Sequence, residues 1–178
     1  AMITAAEIEA CIEEPGPYKA NGQRKAFLDF AAGGDENVIA FREGNRVRIA
    51  AAWREKDTMA AVGRFVIELN NLKRHFGLQP SEVEGDASGL GKPMIDRIRE
   101  AGWPIGEAFN QEAPRYSDRY ANLASETWIE GCMQIQRKEV ILMDDLEFKA
   151  QAVNRRMVPH SKGLLKMESK DDMKKRGV

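Results

Sequence analysis

The sequence predicts one α/β fold: a mixed five-stranded sheet, built as a three-strand antiparallel meander followed by parallel strands, with helices on both faces. Three observations carry this reading. Three strand-like runs follow one another directly, "KAFLDFAAGG" and then the two arms of "NVIAFREGNRVRIAAAW". Two further short runs, "SEVEGD" and "WPIGEAFN", are separated from these and from each other by helical stripes. A meander feeding into strand–helix–strand units closes into one mixed sheet. Finally, 178 residues with 43% hydrophobic and 31% charged side chains suit a single packed core rather than a disordered chain.

Each element has a local reason. "TAAEIEACIEE" is a helix that Thr4 can cap, and the breaker stretch "PGPYKANG" ends it, so residues 1–24 read as a helical and linking segment ahead of a domain at 25–178. Gly44-Asn45 supplies the two turn residues of a hairpin, flanked on both sides by β-prone residues. From Asp57 the period changes. Met59, Val62, Phe65, Val66, Leu69, Leu72 and Phe76 recur at three and four, the stripe of an amphipathic helix that Asp57 can cap and Gly77 can end. "KPMIDRIREAG" is a helix stopping at Gly102, and Ser117 to about Arg137 forms a second long one. A shorter helix follows Asp144, and "RRMVPHSKGLLKME" reads as a hairpin.

Composition excludes several classes of protein. No apolar run is long enough to span a bilayer, and the amino end lacks the basic-then-apolar pattern of a secretory signal. Cys11 and Cys132 are too few for a disulfide framework or a cysteine-rich zinc site, which points to a reduced, intracellular setting. Net charge is −1, yet it is unevenly spread: residues 149–178 carry +6 and the remainder −7. A basic end on an acidic body can lie along a phosphate backbone or simply be solvated.

The stretch "EVEGDASGLGKP" at 82–93 has two readings. A phosphate cradle of the G-x-x-x-x-G-K-[ST] kind would place its first glycine at Asp86 and its hydroxyl at Pro93. A carboxylate repels phosphate and proline cannot hold magnesium, so the cradle is rejected. The acidic reading remains. Asp86 falls where a strand ends before a helix, the place where chemistry gathers in open α/β sheets. Asp29 sits inside the first strand, where a buried charge is costly and aspartate is a poor strand former. If these two strands are parallel neighbours, the carboxylates converge and repel unless a cation intervenes. Magnesium or manganese suits that position, because hard cations take carboxylate oxygens. Two such ions, ~4 Å apart, activate water and stabilise the leaving oxygen in phosphodiester hydrolysis. From spacing alone a second reading stands beside this one: Asp29 at a sheet edge, and Asp86 capping the next helix.

Four stretches taken in order, "AFLDFAAGGDENVIAFREGNRV", "VEGDASGLGKPMIDRIREAGWPI", "YANLASETW" and "LLKMESKDDMKKRG", resemble the nuclease domain of phage terminase large subunits, from about Lys25 to the end. The resemblance implies an RNase H-like fold and a two-metal-ion endonuclease that cuts concatemeric double-stranded DNA during packaging. It carries Asp29 over as the first-strand metal ligand and Asp86 as the acid ending the fourth strand. Asp35, in "GGDEN", matches an acid common in the loop after the first strand, as a ligand or a group behind one. The family's further metal aspartate lies in an S-P-D-like motif beyond the segment matched by "KKRG". The sequence stops at Val178, ahead of that place, so the resemblance implies a domain cut short of its last acidic motif; Asp171 and Asp172 are not assigned to the role. No Walker motif occurs, so translocation belongs to a separate ATPase domain, with the small terminase subunit and the portal as further implied partners. The implied location is the cytoplasm of an infected or lysogenic host cell, with no membrane partner.

Arg155, Arg156, Lys162 and Lys166 flank the C-terminal hairpin, and Lys170 follows it; together they are candidates for sequence-independent contacts to a DNA backbone. His75 ends the long helix, where a cation suits the helix dipole, and His160 lies in a turn. Two other functions stay open at this stage. One is a resolvase- or transposase-type nuclease of the same fold; the other is a non-catalytic module that docks on DNA or the portal.

Overall fold

The computed structural model describes residues 2–109 and 112–178. Along the chain run α1 (Ala5–Glu13), β1 (Arg24–Asp29), β2 (Asn37–Glu43), β3 (Arg46–Trp53), α2 (Thr58–Phe76), β4 (Val83–Asp86), α3 (Gly91–Glu100) and β5 (Gly106–Ala108). Then come α4 (Leu123–Gln136), β6 (Ile141–Leu142), α5 (Leu146–Asn154), β7 (Met157–Val158), β8 (Lys166–Met167) and α6 (Lys170–Lys175). The chain divides into two compact units, one spanning Lys19–Phe109 and the other made of Ala1–Tyr18 with Asn110–Val178.

In the Lys19–Phe109 unit the strands stand in the order β5-β4-β1-β2-β3. β1, β2 and β3 form the antiparallel meander, while β4 pairs parallel to β1 and β5 parallel to β4. This is the topology the sequence predicts. The sheet has a sixth strand where the sequence predicts five. That strand is two residues long, below the length at which alternation can be recognised in a sequence.

The meander turns at Gly44-Asn45, between Glu43 and Arg46, which pair with each other. Only Gly44 takes a positive φ, at 57°, so the glycine alone supplies the twist that matches the strands. Helix α2 starts where Asp57 accepts hydrogen bonds from the Met59 and Ala60 amides, at 2.8 and 3.1 Å. It stops at Gly77, which adopts φ 74° and returns its N–H to the Lys73 carbonyl. Its buried stripe is Ala61, Val62, Phe65, Leu69 and Leu72. Met59, predicted to join that stripe, is 58% exposed, in the same turn as the fully buried Ala61.

One sheet face packs under α2 and α3. Ala26 and Leu28 of β1, Ile39 and Phe41 of β2 and Val83 of β4 meet Phe65 and Leu69 of α2 and Ile95 and Ile98 of α3. Phe65 is the centre of this layer, with its ring edge-on to both Phe30 (4.9 Å between centroids) and Trp53 (4.6 Å).

The second unit contains α1, α4, α5 and the β7–β8 hairpin. Thr4 caps α1, as the sequence predicts, and Glu7 completes a capping box with it. Helix α4 begins at Leu123 instead of Ser117, capped by Asn122, whose side chain accepts from the Ser125 amide at 2.8 Å. Residues 117–121 are drawn off by pairing that no local pattern encodes: the Leu165 amide donates to the Arg119 carbonyl, and the Ala121 amide donates to the Leu165 carbonyl. Tyr120, Ile129 and Met167 form the buried cluster there. The hairpin expected in "RRMVPHSKGLLKME" is the β7–β8 pair.

Candidate metal centre

Asp29 is the last residue of β1 and Asp86 the last of β4. The parallel register between these strands runs Ala26 opposite Val83, Phe27 opposite Glu84 and Leu28 opposite Gly85. Asp29 and Asp86 are the next residue of each strand. Side chains alternate across a strand. Asp29 therefore shares the outward face of Phe27, which is 39% exposed, and Asp86 shares that of Glu84. Two carboxylates thus project from the same face of adjacent strands, whose axes are ~4.8 Å apart.

Neither aspartate takes the place that the alternative reading gave it. β1 lies between β4 and β2, so Asp29 is not on a sheet edge. Asp86 does not cap α3 either: the capping position is Leu90, without a side-chain hydrogen bond. Instead Asp86 Oδ1 accepts the Ser88 amide at 3.0 Å, which turns the chain immediately after the strand. The loop beyond Asp29 is held by buried Asn37, whose Oδ1 accepts the Ala31 amide at 3.0 Å. Nothing in "GDEN" marks that asparagine as a structural residue, because its partner becomes visible only once β1 and β2 are paired.

Asp35 lies in the exposed loop between β1 and β2. Among the described residues, no group of three or more histidine, cysteine, aspartate or glutamate side chains gathers at metal-binding distance. Asp29 and Asp86 are the two candidate acids that the sheet brings to the ends of neighbouring strands. Their carboxylates match a hard divalent cation in donor type. Lys92, the lysine of the rejected phosphate cradle, is engaged elsewhere, at 2.6 Å from Asp96 and 2.7 Å from Glu107. Glu107 also takes Arg99 at 2.8 Å, so its carboxyl is held below the usual range by hydrogen bonds from Lys92 and Arg99.

The basic residues singled out in the sequence all lie in the other unit. Arg155 is half-buried, stacked over Trp128 at 4.7 Å and donating to the Glu168 carbonyl at 3.1 Å. Arg156 and Lys162 are exposed, Lys166 is half-buried on β8, and Lys170 opens α6 on the surface. Sequence reasoning missed the anchor beneath them. Glu168 is buried, accepts the Arg156 amide at 2.7 Å and pairs with Arg176 at 2.7 Å. Hydrogen bonding from Arg176, the leading cause, holds the Glu168 carboxyl below its ordinary range. A depressed carboxylate stabilises the fold at pH values above its unfolded-state pKa, and that contribution is lost as pH falls through the folded-state value. Acid unfolding followed by circular dichroism is therefore expected to begin at a higher pH in Arg176→Ala than in the parent chain. Coincident acid transitions would contradict this linkage.

No helix among the described residues is long and apolar enough to cross a membrane. No protein-family model matches the sequence, and no curated protein matches it. Solved structures do match. The nuclease domain of the large terminase subunit gp2 of bacterial virus Sf6 superposes with a TM-score of 0.81 at 17% identity, covering 100% of this chain and 92% of that one. A K428A form of the same Sf6 domain, with manganese and beta-thujaplicinol, gives 0.77 at 17% identity over 99% and 91%. The large terminase nuclease of thermophilic phage G20c with bound magnesium gives 0.61 at 16% identity over 97% and 93%. At such identities the likeness speaks for architecture: the chain has the RNase H-like fold seen in the nuclease domains of phage large terminase subunits.

Proposed function

We propose that this chain is the metal-dependent endonuclease domain of a DNA-packaging terminase and that it hydrolyses phosphodiester bonds of concatemeric double-stranded DNA. The observation that carries the proposal is the parallel register of β1 against β4, with Leu28 opposite Gly85 and Asp29 and Asp86 the next residue of each strand. The manganese- and magnesium-containing structures of the Sf6 and G20c domains support the use of a divalent ion. Asp29 and Asp86 would hold that ion. When bound, it would supply Lewis acidity to a phosphoryl oxygen and raise the acidity of water. The protein's own contribution is to fix two anionic oxygen donors on rigid strand ends, so that neither has to be ordered when substrate arrives. A two-ion arrangement requires further acidic ligands beyond this pair, and Asp35 is the acid nearest in sequence to the end of β1.

Arg156, Lys162, Lys166 and Lys170 would contact the DNA backbone, giving binding that weakens steeply with salt and is indifferent to sequence. Arg155, stacked and hydrogen-bonded, would hold the hairpin in shape beneath them. In its assembly the domain would work beside an ATPase domain, the small terminase subunit and the portal, in the cytoplasm of the host cell.

The direct test is nicking of supercoiled plasmid by the purified chain in manganese or magnesium, with branched and linear duplexes as competitors. Metal-dependent nicking that chelation abolishes, without preference for branched DNA, is the expected result. Cutting confined to branched DNA would reassign the domain to the resolvase type. Absence of both nicking and calorimetric metal uptake would leave only a docking module.

A further inference from the structure

The glycines of "SGLGKP" are left without a purpose once the phosphate cradle is rejected, and one of them has a contact that gives it another. Gly91 is the first residue of α3 and is fully enclosed. A methyl group built on its α-carbon would stand 1.8 Å from the Asp86 carbonyl oxygen, 2.9 Å from the Asp86 carbonyl carbon and 3.3 Å from the Phe30 ring. The first two atoms are backbone, so no side-chain rotation relieves the overlap. Gly91 carries no positive φ, so the requirement for glycine is one of space and not of backbone conformation. Its neighbour Gly89 is the reverse case, with φ +58° and nothing within 4 Å of an added methyl.

The surrounding loop explains how this contact bears on the carboxylate. Between Asp86 and Gly91 the chain makes one tight turn. The Gly91 amide donates to the Ser88 carbonyl at 3.0 Å, and the Ser88 amide donates to Asp86 Oδ1 at 3.0 Å. The Ala87 amide donates across to the Ala108 carbonyl at 2.9 Å, which ties the turn to β5. The start of α3 therefore rests directly on the Asp86 peptide, and the same turn orients the Asp86 side chain.

We propose that Gly91 is a positioning residue for Asp86: its missing side chain lets α3 close onto the Asp86 carbonyl and so fixes the direction of that carboxylate. The inference rests on the reading of the Asp29–Asp86 pair as a divalent-cation centre. Any side chain at position 91 drives the Asp86 peptide and the helix start apart, and the carboxylate moves with its peptide.

The test is manganese binding to the folded chain, followed by electron paramagnetic resonance of free Mn2+ in the absence of DNA. The proteins compared are the parent, G91A, D86N and L69A. Leu69 is fully buried on α2, outside the 86–91 turn, so L69A loses core packing and controls for general destabilisation. All four are measured in trimethylamine N-oxide, which favours folded states, with near-ultraviolet circular dichroism confirming the fold. G91A is expected to bind manganese at least tenfold more weakly than the parent, approaching D86N, while L69A binds as the parent does. Parent-like affinity in folded G91A overturns the positioning role, as does G91A that stays unfolded in the osmolyte, since position 91 is then a requirement of the fold alone. If D86N binds manganese as tightly as the parent, the metal-centre reading itself fails, and that outcome is read independently of G91A.

Discussion

Asp29→Asn and Asp86→Asn are each expected to lower manganese-dependent plasmid nicking by at least about 100-fold while leaving the far-ultraviolet spectrum unchanged. Outer residues that merely orient a metal ligand cost about 10–100-fold when removed, and a direct ligand costs no less. Asparagine keeps the size of aspartate and one of its oxygens, so packing at the strand ends is preserved and the lost charge is the variable tested. A thermal readout accompanies the kinetic one. A cation that binds only the folded chain stabilises it by about 2.7 kcal/mol when present at a hundred times its dissociation constant. The parent is therefore expected to melt higher as manganese is added, and D86N to melt at one temperature throughout. Nicking by D29N at the parent rate would remove Asp29 from the centre. A manganese-dependent melting shift retained in D86N would do the same for Asp86.

Phe65→Ala is expected to produce the largest loss of stability of any single core truncation in the Lys19–Phe109 unit. Phe65 is fully buried, and its ring is edge-on to Phe30 and Trp53, so its removal strips contacts from both the sheet and the segment leading out of β1. Truncating a buried phenylalanine costs about 3–5 kcal/mol, since the lost transfer energy is joined by the cavity left behind. Whole domains are stable by only about 5–15 kcal/mol. Urea unfolding monitored by tryptophan fluorescence is expected to show a midpoint well below the parent's, with Phe65→Leu falling between the two. A loss under about 1 kcal/mol would mean that neighbouring side chains collapse into the space. Phe30, which packs against Phe65, follows Asp29 directly in the chain, so F65A is also expected to loosen the end of β1.

Much of this architecture is written in short-range pattern, and the physical reason is the same in each case. The Asp57 cap, the Gly77 stop, the Gly44 turn and the Thr4–Glu7 box each depend on groups within about four residues, so their hydrogen bonds and dihedral preferences are local properties of the chain. The stripe of α2 was legible because one buried face recurs with the helical period. Where long-range pairing competes with such a pattern, the pattern loses: the helix expected from Ser117 begins at Leu123 because Leu165 takes the intervening backbone. The two aspartates were nameable as an odd charge within a strand and an acid at a strand end. That they end neighbouring strands was decided only when β4 paired in parallel with β1, with Leu28 opposite Gly85, since register is a property of two strands and belongs to neither alone. Glu168 and Gly91 show the same division. A buried glutamate looks like any other charged residue until Arg176 arrives, and a glycine that must lack a side chain looks like any turn glycine until a helix closes to within one methyl group of a carbonyl.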